Sequence, residues 1–381
     1  MKILQVISTL NPAFGGPVEG LKQMVQAIAE EGHEVSVLTL DDPGETWFEG
    51  FPASVIAVGP SYFKYGLNFK LISWLKNNAK LFDVVIVNGI WQFHSYAVCR
   101  ALKGTATPYF VYTHGMLDPW FRLAYPIKHL KKWLYWPWAE YVVLKNARAV
   151  LFTSEEERLL ARSSFWLYRC NEMVVNFGIK GFVSDSSEHI NFFYKSYPHL
   201  QDKRVILYLG RLHLKKGCDL LIDAFSKIVL ADKNLHLVFI GNDQDGWRSK
   251  LESKVEQLGI NSYVSWLGMV DEQLKWGALL AADVFILPSH SENFGASVVE
   301  ALSCSTPVLI SNKVNIWREI KNSEAGFVES DDLEGTGRLL NKWLSLKNNE
   351  KDEMIKRSKE CFTKNFEITL AVKNLINAIA K

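Results

Sequence analysis

The sequence predicts an α/β protein of two Rossmann-like domains, each a parallel sheet covered by helices, facing each other across a cleft. Three observations carry this expectation. At 381 residues the chain exceeds the size at which a single hydrophobic core keeps growing. Short β-branched runs alternate with stretches of helical periodicity, the pattern that builds parallel sheets buried on both faces. That rhythm is lost once, in the polar stretch Ser184–His199, and then restarts.

In the first half, strands are expected over Ile3–Ile7, Val35–Leu40, Val84–Val87, Tyr109–Thr113 and Ala149–Thr153, with Glu19–Glu30 the first helical stretch between them. Met1–Ile7 is read as a strand and not a leader, because Gln5 interrupts its apolar run and a loop rich in Gly and Pro follows. In the second half, strands are expected over Val205–Leu209, Leu237–Ile240, Tyr263–Leu267, Val284–Leu287 and Pro307–Ile310. A linker near 180–200 then separates domains over 1–185 and 200–361. The tail from Glu350 is charged and helical in pattern. Leu370, Val372 and Leu375 sit at core-facing spacing, so a C-terminal helix at about 362–381 is expected to pack back onto the first domain.

Composition narrows the function classes. The chain is 48% hydrophobic and 22% charged with a formal net charge of +2, which gives no general attraction to a polyanion, so nucleic acid is not an expected partner. Cys99, Cys170, Cys218, Cys304 and Cys361 are scattered singly, with no C-x-x-C pair and no histidine at ligand spacing. They read as small buried hydrophobes in a reducing compartment, and no metal site is expected. No apolar run approaches the roughly 20 residues that span a bilayer. The expected location is cytoplasmic, or peripheral on the inner face of the plasma membrane.

In open α/β sheets, ligands sit at the carboxyl ends of strands. The most informative strand-to-helix segment runs from Leu287 to Leu302. A strand ends at Pro288, a polar loop holds Glu292, Asn293 and Phe294, and a helix opens at Gly295–Ala296 and carries Glu300. A helix N-terminus offers unpaired N–H groups and a positive dipole end, which suit a diphosphate lying over Phe294 to Ser297. Eight positions of helix would separate Glu292 and Glu300 by roughly 12 Å of rise. Paired hydrolytic carboxylates work at about 5–9.5 Å, so a long ligand gripped at two depths fits better. The competing reading makes Glu292 a dipole partner and Glu300 a solvated helix residue.

A second segment, Leu209–Gly217, again joins a strand end to a helix start and carries Gly210, Arg211 and Lys216. Fixed cations beside a helix N-terminus suit a departing diphosphate, whose charge grows as the sugar bond breaks. Taken alone, such a loop is equally a solvated basic surface.

Together these segments resemble a family 4 retaining glycosyltransferase of the GT-B fold. Glu292 and Glu300 match that family's E-x7-E signature, and Gly210-Arg211 with Lys216-Gly217 match its Arg/Lys pair. The likeness extends through Phe14-Gly15-Gly16-Pro17 after the first strand and His114-Gly115-Met116 after the Tyr109–Thr113 strand, and so covers nearly the whole chain. The resemblance implies that Arg211 and Lys216 stabilise the donor diphosphate, Glu292 binds sugar hydroxyls, Glu300 binds the ribose, and His114 approaches the transferred sugar from the opposite domain. Gly15 and Gly16 would admit close backbone approach, with an ordinary tight turn as the alternative. For His114 the alternative is a histidine capping a strand. It further implies a nucleotide-diphosphate sugar as donor substrate, no cofactor or metal, and front-face attack. Where the family often has Gly-x-Gly, this chain has Gly241-Asn242-Asp243; the neighbouring Trp266 is open between base recognition and core.

The acceptor is expected to be a saccharide or lipid-linked saccharide. In residues 119–141, Trp120, Trp133, Trp136 and Trp138 interleave with Arg122, Lys128, Lys131 and Lys132, a mixture that favours a headgroup interface. Ile127, Leu130 and Leu134 also have the spacing of a core-facing helix, so membrane-surface contact and internal packing both stand. A nucleotide-sugar epimerase, a phosphorylase, and a nucleotide-sugar-binding protein without turnover are the rival readings.

Overall fold

The computed structural model describes residues 1–243 and 246–380. It divides into two compact units, Met1–Lys180 with Ile368–Lys381, and Gly181–Glu367.

The first unit is a seven-stranded sheet of β1 (Lys2–Ile7), β2 (Glu34–Thr39), β3 (Ser54–Ala57), β4 (Val84–Asn88), β5 (Tyr109–Tyr112), β6 (Ala149–Phe152) and β7 (Glu172–Val174) in the order β3-β2-β1-β4-β5-β6-β7. Every pairing is parallel, with Ile3 opposite both Val35 and Val84. Alternate residues feed opposite faces. Leu4, Val6, Val85, Val87 and Val111 enter one core, while Ile3, Val84, Ile86, Phe110 and Leu151 enter another with the C-terminal helix Ile368–Ile379. Burial on both faces is why the central strands read as continuous apolar runs.

The second unit is a six-stranded parallel sheet of β8 (Arg204–Leu209), β9 (Leu235–Ile240), β10 (Val264–Gly268), β11 (Val284–Leu287), β12 (Val308–Ser311) and β13 (Gly326–Glu329) in the order β10-β9-β8-β11-β12-β13.

Three features depart from the sequence reading. The stretch expected as a linker holds the helix Ser186–Ser196, which belongs to the second unit. Its backbone lies so close to the helix Glu272–Ala281 that a Cβ on Gly277 would meet the His189 carbonyl oxygen at 2.4 Å. The return to the first unit begins at Ile368 and not near 362, because Cys361, Phe362 and Phe366 are buried in the second unit. The edge strands β3, β7 and β13 have no counterpart in the sequence reading, being three or four residues long and too short for a period-2 signal.

The turn after β4 depends on a buried carboxyl group. Trp91 takes a left-handed backbone conformation (φ 72°). Its N–H donates to Glu140 at 2.9 Å, and its indole N–H donates to the Met116 carbonyl at 3.0 Å. Glu140 is fully buried, with the Ser95 hydroxyl 3.3 Å away as a further donor. Burial pushes its carboxyl up to about 8 from the ordinary 4.5, although Trp91, Ser95 and Lys132 all favour the anion. The native state therefore holds a proton that the unfolded chain releases. The associated stability is complete below about 4.5 and is lost as pH rises through about 8. Melting temperatures of wild type and Glu140→Gln should diverge in slope between pH 5 and 8, with the variant flatter; parallel slopes would show that another group sets this pH dependence.

Candidate active site

In the second sheet, strand order reverses between β8 and β11. A crevice at the carboxyl ends of such strands is where open α/β sheets bind ligands. Both motif-bearing loops leave from these two strands.

The loop after β8 carries Gly210 and Arg211, passes through one tight turn over Leu214–Lys216 that His213 caps, and enters the helix Cys218–Val229. Gly217 joins turn to helix at φ 67°. A Cβ there would meet the carbonyl oxygen of Pro288, the residue following β11, at 2.2 Å. The two loops are also tied at the Lys215 carbonyl, which accepts the His290 N–H at 2.8 Å and the Ser289 hydroxyl at 2.9 Å. This lock brings the Lys216 ammonium into contact with the Glu292 carboxylate. Burial and the like charges of Lys215 and Arg211 pull the Lys216 ammonium below its ordinary value. The touching Glu292 carboxylate works the other way. Arg211 is exposed in the same loop.

Glu292 is also fixed by its backbone, which accepts the Asn315 N–H and donates to the Lys313 carbonyl, both at 2.9 Å. The Asn315 amide donates to Asn293 at 3.2 Å, and Phe294 packs edge-on against Phe366 at 6.0 Å. Gly295 (φ 67°) then opens the helix Ala296–Ser303, whose N-terminus no side chain caps and whose first residue, Ala296, is exposed. Glu292 thus precedes the helix, while Glu300 sits within it and receives a second cation, Lys275, at 2.9 Å.

In the first sheet, strand order reverses between β1 and β4. After β1, Gly15 (φ 69°) caps the helix Gly16–Glu30. Neither Gly15 nor Gly16 has a neighbour that a Cβ would meet within 4 Å, so packing does not demand a glycine at Gly16. Beside them lies a pocket of about 170 Å³ lined by Leu10, Gly15, Glu19, Lys22 and Trp47. A larger cavity of about 630 Å³ in the second unit is lined by Lys321, Lys342 and Arg357 and contains none of the motif residues.

His114 follows β5 in a left-handed conformation (φ 46°), stacked on Tyr112 at 5.4 Å. Its Nε2 meets Asn88 Oδ1 at 3.1 Å, and the Asn88 amide nitrogen donates to buried Gln5 at 2.8 Å. With the Asn88 oxygen turned to His114, Nε2 carries the proton and Nδ1 keeps its lone pair. Burial lowers the His114 pKa against the opposing Glu157 carboxylate, which keeps the ring neutral near pH 7. Glu157 is buried and braces this loop, accepting the Thr113 hydroxyl at 2.7 Å, the Gly115 N–H at 2.6 Å and both donors of Thr153 at 2.7 Å.

Residues 15–175 match the model of the glycosyl transferase 4-like domain, and residues 190–361 match that of the glycosyl transferases group 1. The chain belongs to the GT-B glycosyltransferases. Among curated relatives of this GT-B chain, mannosylfructose-phosphate synthase of Agrobacterium fabrum is 34% identical over 148 residues, 36% of this chain and 32% of the relative. Phosphatidyl-myo-inositol mannosyltransferase of Mycobacterium leprae is 32% identical over 133 residues, 34% of this chain and 33% of the relative. The matches thus span about a third of the length of these relatives. Among solved structures, Anabaena HepE in complex with UDP superposes with a TM-score of 0.80 at 17% identity, covering 100% of both chains. Sucrose-phosphate synthase of Thermosynechococcus elongatus gives 0.78 at 19%, covering 100% of this chain and 99% of the other. At such identities the likeness is one of fold.

Sequence reasoning missed four residues that shape these sites in the GT-B chain. Lys275 partners Glu300 from a helix 25 positions away, and no local pattern marks it. Asn88 and Glu157 act through contacts far along the chain. Gln5 left a usable trace, a polar residue inside an otherwise apolar strand. Trp266 stacks on Phe239 at 4.4 Å within the sheet, which favours packing at that position. Gly217 offers the sharpest test of the loop lock. Gly217→Ala should destabilise the protein by about 1–3 kcal/mol through backbone strain alone; calorimetry showing no loss of stability would refute the lock.

Proposed function

We propose that the chain moves a sugar from a nucleotide-diphosphate sugar to a hydroxyl of a saccharide or lipid-linked saccharide, with retention of anomeric configuration, in surface polysaccharide or glycan biosynthesis. The observation that carries this is the contact between Lys216 and Glu292, on two loops locked together at the switch point of the second sheet. A cation and a carboxylate held side by side can grip the two halves of one ligand, the diphosphate and the sugar hydroxyls.

Arg211 and Lys216 take the diphosphate at the N-terminus of the helix Ala296–Ser303, which no side chain caps. The Gly210 N–H is already donated to the Ile240 carbonyl at 2.9 Å, which leaves that glycine a close-approach role only. Glu292 takes sugar hydroxyls and Glu300 the ribose, held in place by Lys275. His114 contacts the transferred sugar through Nδ1 as an acceptor, and Gly15 and Gly16 admit close approach. In the proposed step, the bond from the anomeric carbon to the phosphate oxygen breaks as the bond to the acceptor oxygen forms on the same face. The acceptor proton passes to the departing phosphate oxygen. The protein supplies orientation and charge stabilisation, with no resident cofactor or metal. A lipid-linked acceptor would bring residues 119–141 to a membrane surface.

HepE was solved with UDP and with UDP-glucose, so uridine donors come first in a panel of UDP-, GDP- and ADP-sugars followed by thermal shift. One donor should stabilise wild type, and Glu300→Ala should lose the shift. Lys216→Ala should lower turnover about 10²–10³-fold, as expected for a group meeting charge that develops in the transition state. Donor binding without transfer to any acceptor or water, or release of an altered free sugar, would contradict the transferase reading.

A further inference from the structure

The helix Pro126–Tyr135 buries none of its residues. Helices in water take most of their stability from an apolar face packed on the protein, yet here Ile127, Leu130 and Leu134 are 75%, 59% and 62% exposed. Their spacing is that of a core-facing helix, but the face they make is turned outward. The helix is held from its other side. The Lys132 ammonium lies 4.5 Å over the Trp91 ring, and at the helix end Trp136 is fully buried and stacked on Phe165 at 4.2 Å.

A second exposed feature adjoins it. Between β3 and the helix Phe69–Asn78 the chain makes a tight turn closed by two hydrogen bonds between Tyr62 and Leu67, at 3.0 and 2.9 Å. At the tip Phe63 takes a left-handed conformation (φ 62°) and is 86% exposed. A bulky residue in that backbone region is unfavourable, and an exposed ring gains nothing from packing in return. Tyr65 of the same turn packs on Tyr135 at 5.7 Å with the two hydroxyls in contact, so turn and helix are neighbours.

Charge separates this region from the rest of the chain. Residues 51–139 carry ten Lys and Arg against two Asp and no Glu, which leaves the remainder net acidic. A near-neutral total hides a strongly basic segment. Exposed aliphatic and aromatic side chains among lysines, with no exposed glutamate to repel phosphate, match a bilayer surface bearing anionic headgroups. We propose that the helix Pro126–Tyr135 and the Phe63 turn form one two-point docking surface for an anionic lipid bilayer. The apolar face and Phe63 enter the acyl boundary, and Lys64, Lys128 and Lys131 meet the headgroups. This rests on the lipid-linked acceptor reading for its purpose, but not for its physics. Among the described residues no helix is long and apolar enough to cross a membrane, and docking on a surface requires none.

The test is co-sedimentation of the full chain with phosphatidylcholine vesicles, with and without roughly a third phosphatidylglycerol, at low and high salt. Wild type should bind the anionic vesicles, more weakly in high salt. Phe63→Asn, which tolerates the left-handed backbone, and Ile127→Ser with Leu134→Ser should each weaken binding at least tenfold. Both variants should keep the wild-type melting temperature and donor-induced thermal shift. Absence of vesicle binding by wild type, unchanged binding by the folded variants, or a solution dimer that the Ile127/Leu134 variant dissolves would overturn the proposal. Donor binding without vesicle binding sinks this surface alone; vesicle binding without donor binding sinks the transferase reading alone.

Discussion

The second unit's chemistry depends on one close approach, that of Gly217 to the Pro288 carbonyl. Only a residue without a side chain can sit there, since a Cβ would come within 2.2 Å of that oxygen. The approach presses the loop after β8 onto the loop after β11, and the Lys215 carbonyl ties them a second time. Lys216, one residue before the glycine, is thereby carried to Glu292, four residues after the proline. A lysine whose charge burial disfavours is held against a carboxylate that favours it. Such a pair is costly to leave unmatched and well placed to be completed by an anionic ligand.

The first unit solves a similar problem with neutral groups. Its switch point holds Gln5 and Asn88 on adjacent strands, and Asn88 fixes the proton of His114 on Nε2. Glu157 gathers donors from the ends of β5 and β6, which holds the left-handed His114-Gly115 turn in place. A buried carboxylate with several short hydrogen bonds is a rigid brace, because removing it would strand all of its donors. The ring it positions offers an acceptor nitrogen and no charge, which suits a sugar hydroxyl better than a phosphate.

What was legible in the sequence follows from locality. The central strands were readable because burial on both faces makes them continuous apolar runs. The residues from Gly210 to Gly217 and from Glu292 to Glu300 were readable because each group lies on one loop and its adjoining helix. The helix Ser186–Ser196 looked like a linker because Phe193 is its one buried residue. Lys275, Asn88 and Glu157 gave no signal, since their partners are remote in sequence. Ile127, Leu130 and Leu134 show the limit of periodicity, which reports that a helix has an apolar face but not what the face meets.

Lys216 and Glu292 mark the proposed seat of a donor diphosphate, the claim on which the rest depends. Calorimetric titration of UDP, GDP and ADP, each beside its monophosphate, into wild type and Lys216→Met tests it most directly. One diphosphate should bind wild type at least tenfold more tightly than its monophosphate, a difference of about 1.4 kcal/mol, and the variant should lose that preference while still binding the monophosphate. An equal preference in the variant, or no binding of any nucleotide to wild type, would contradict the claim.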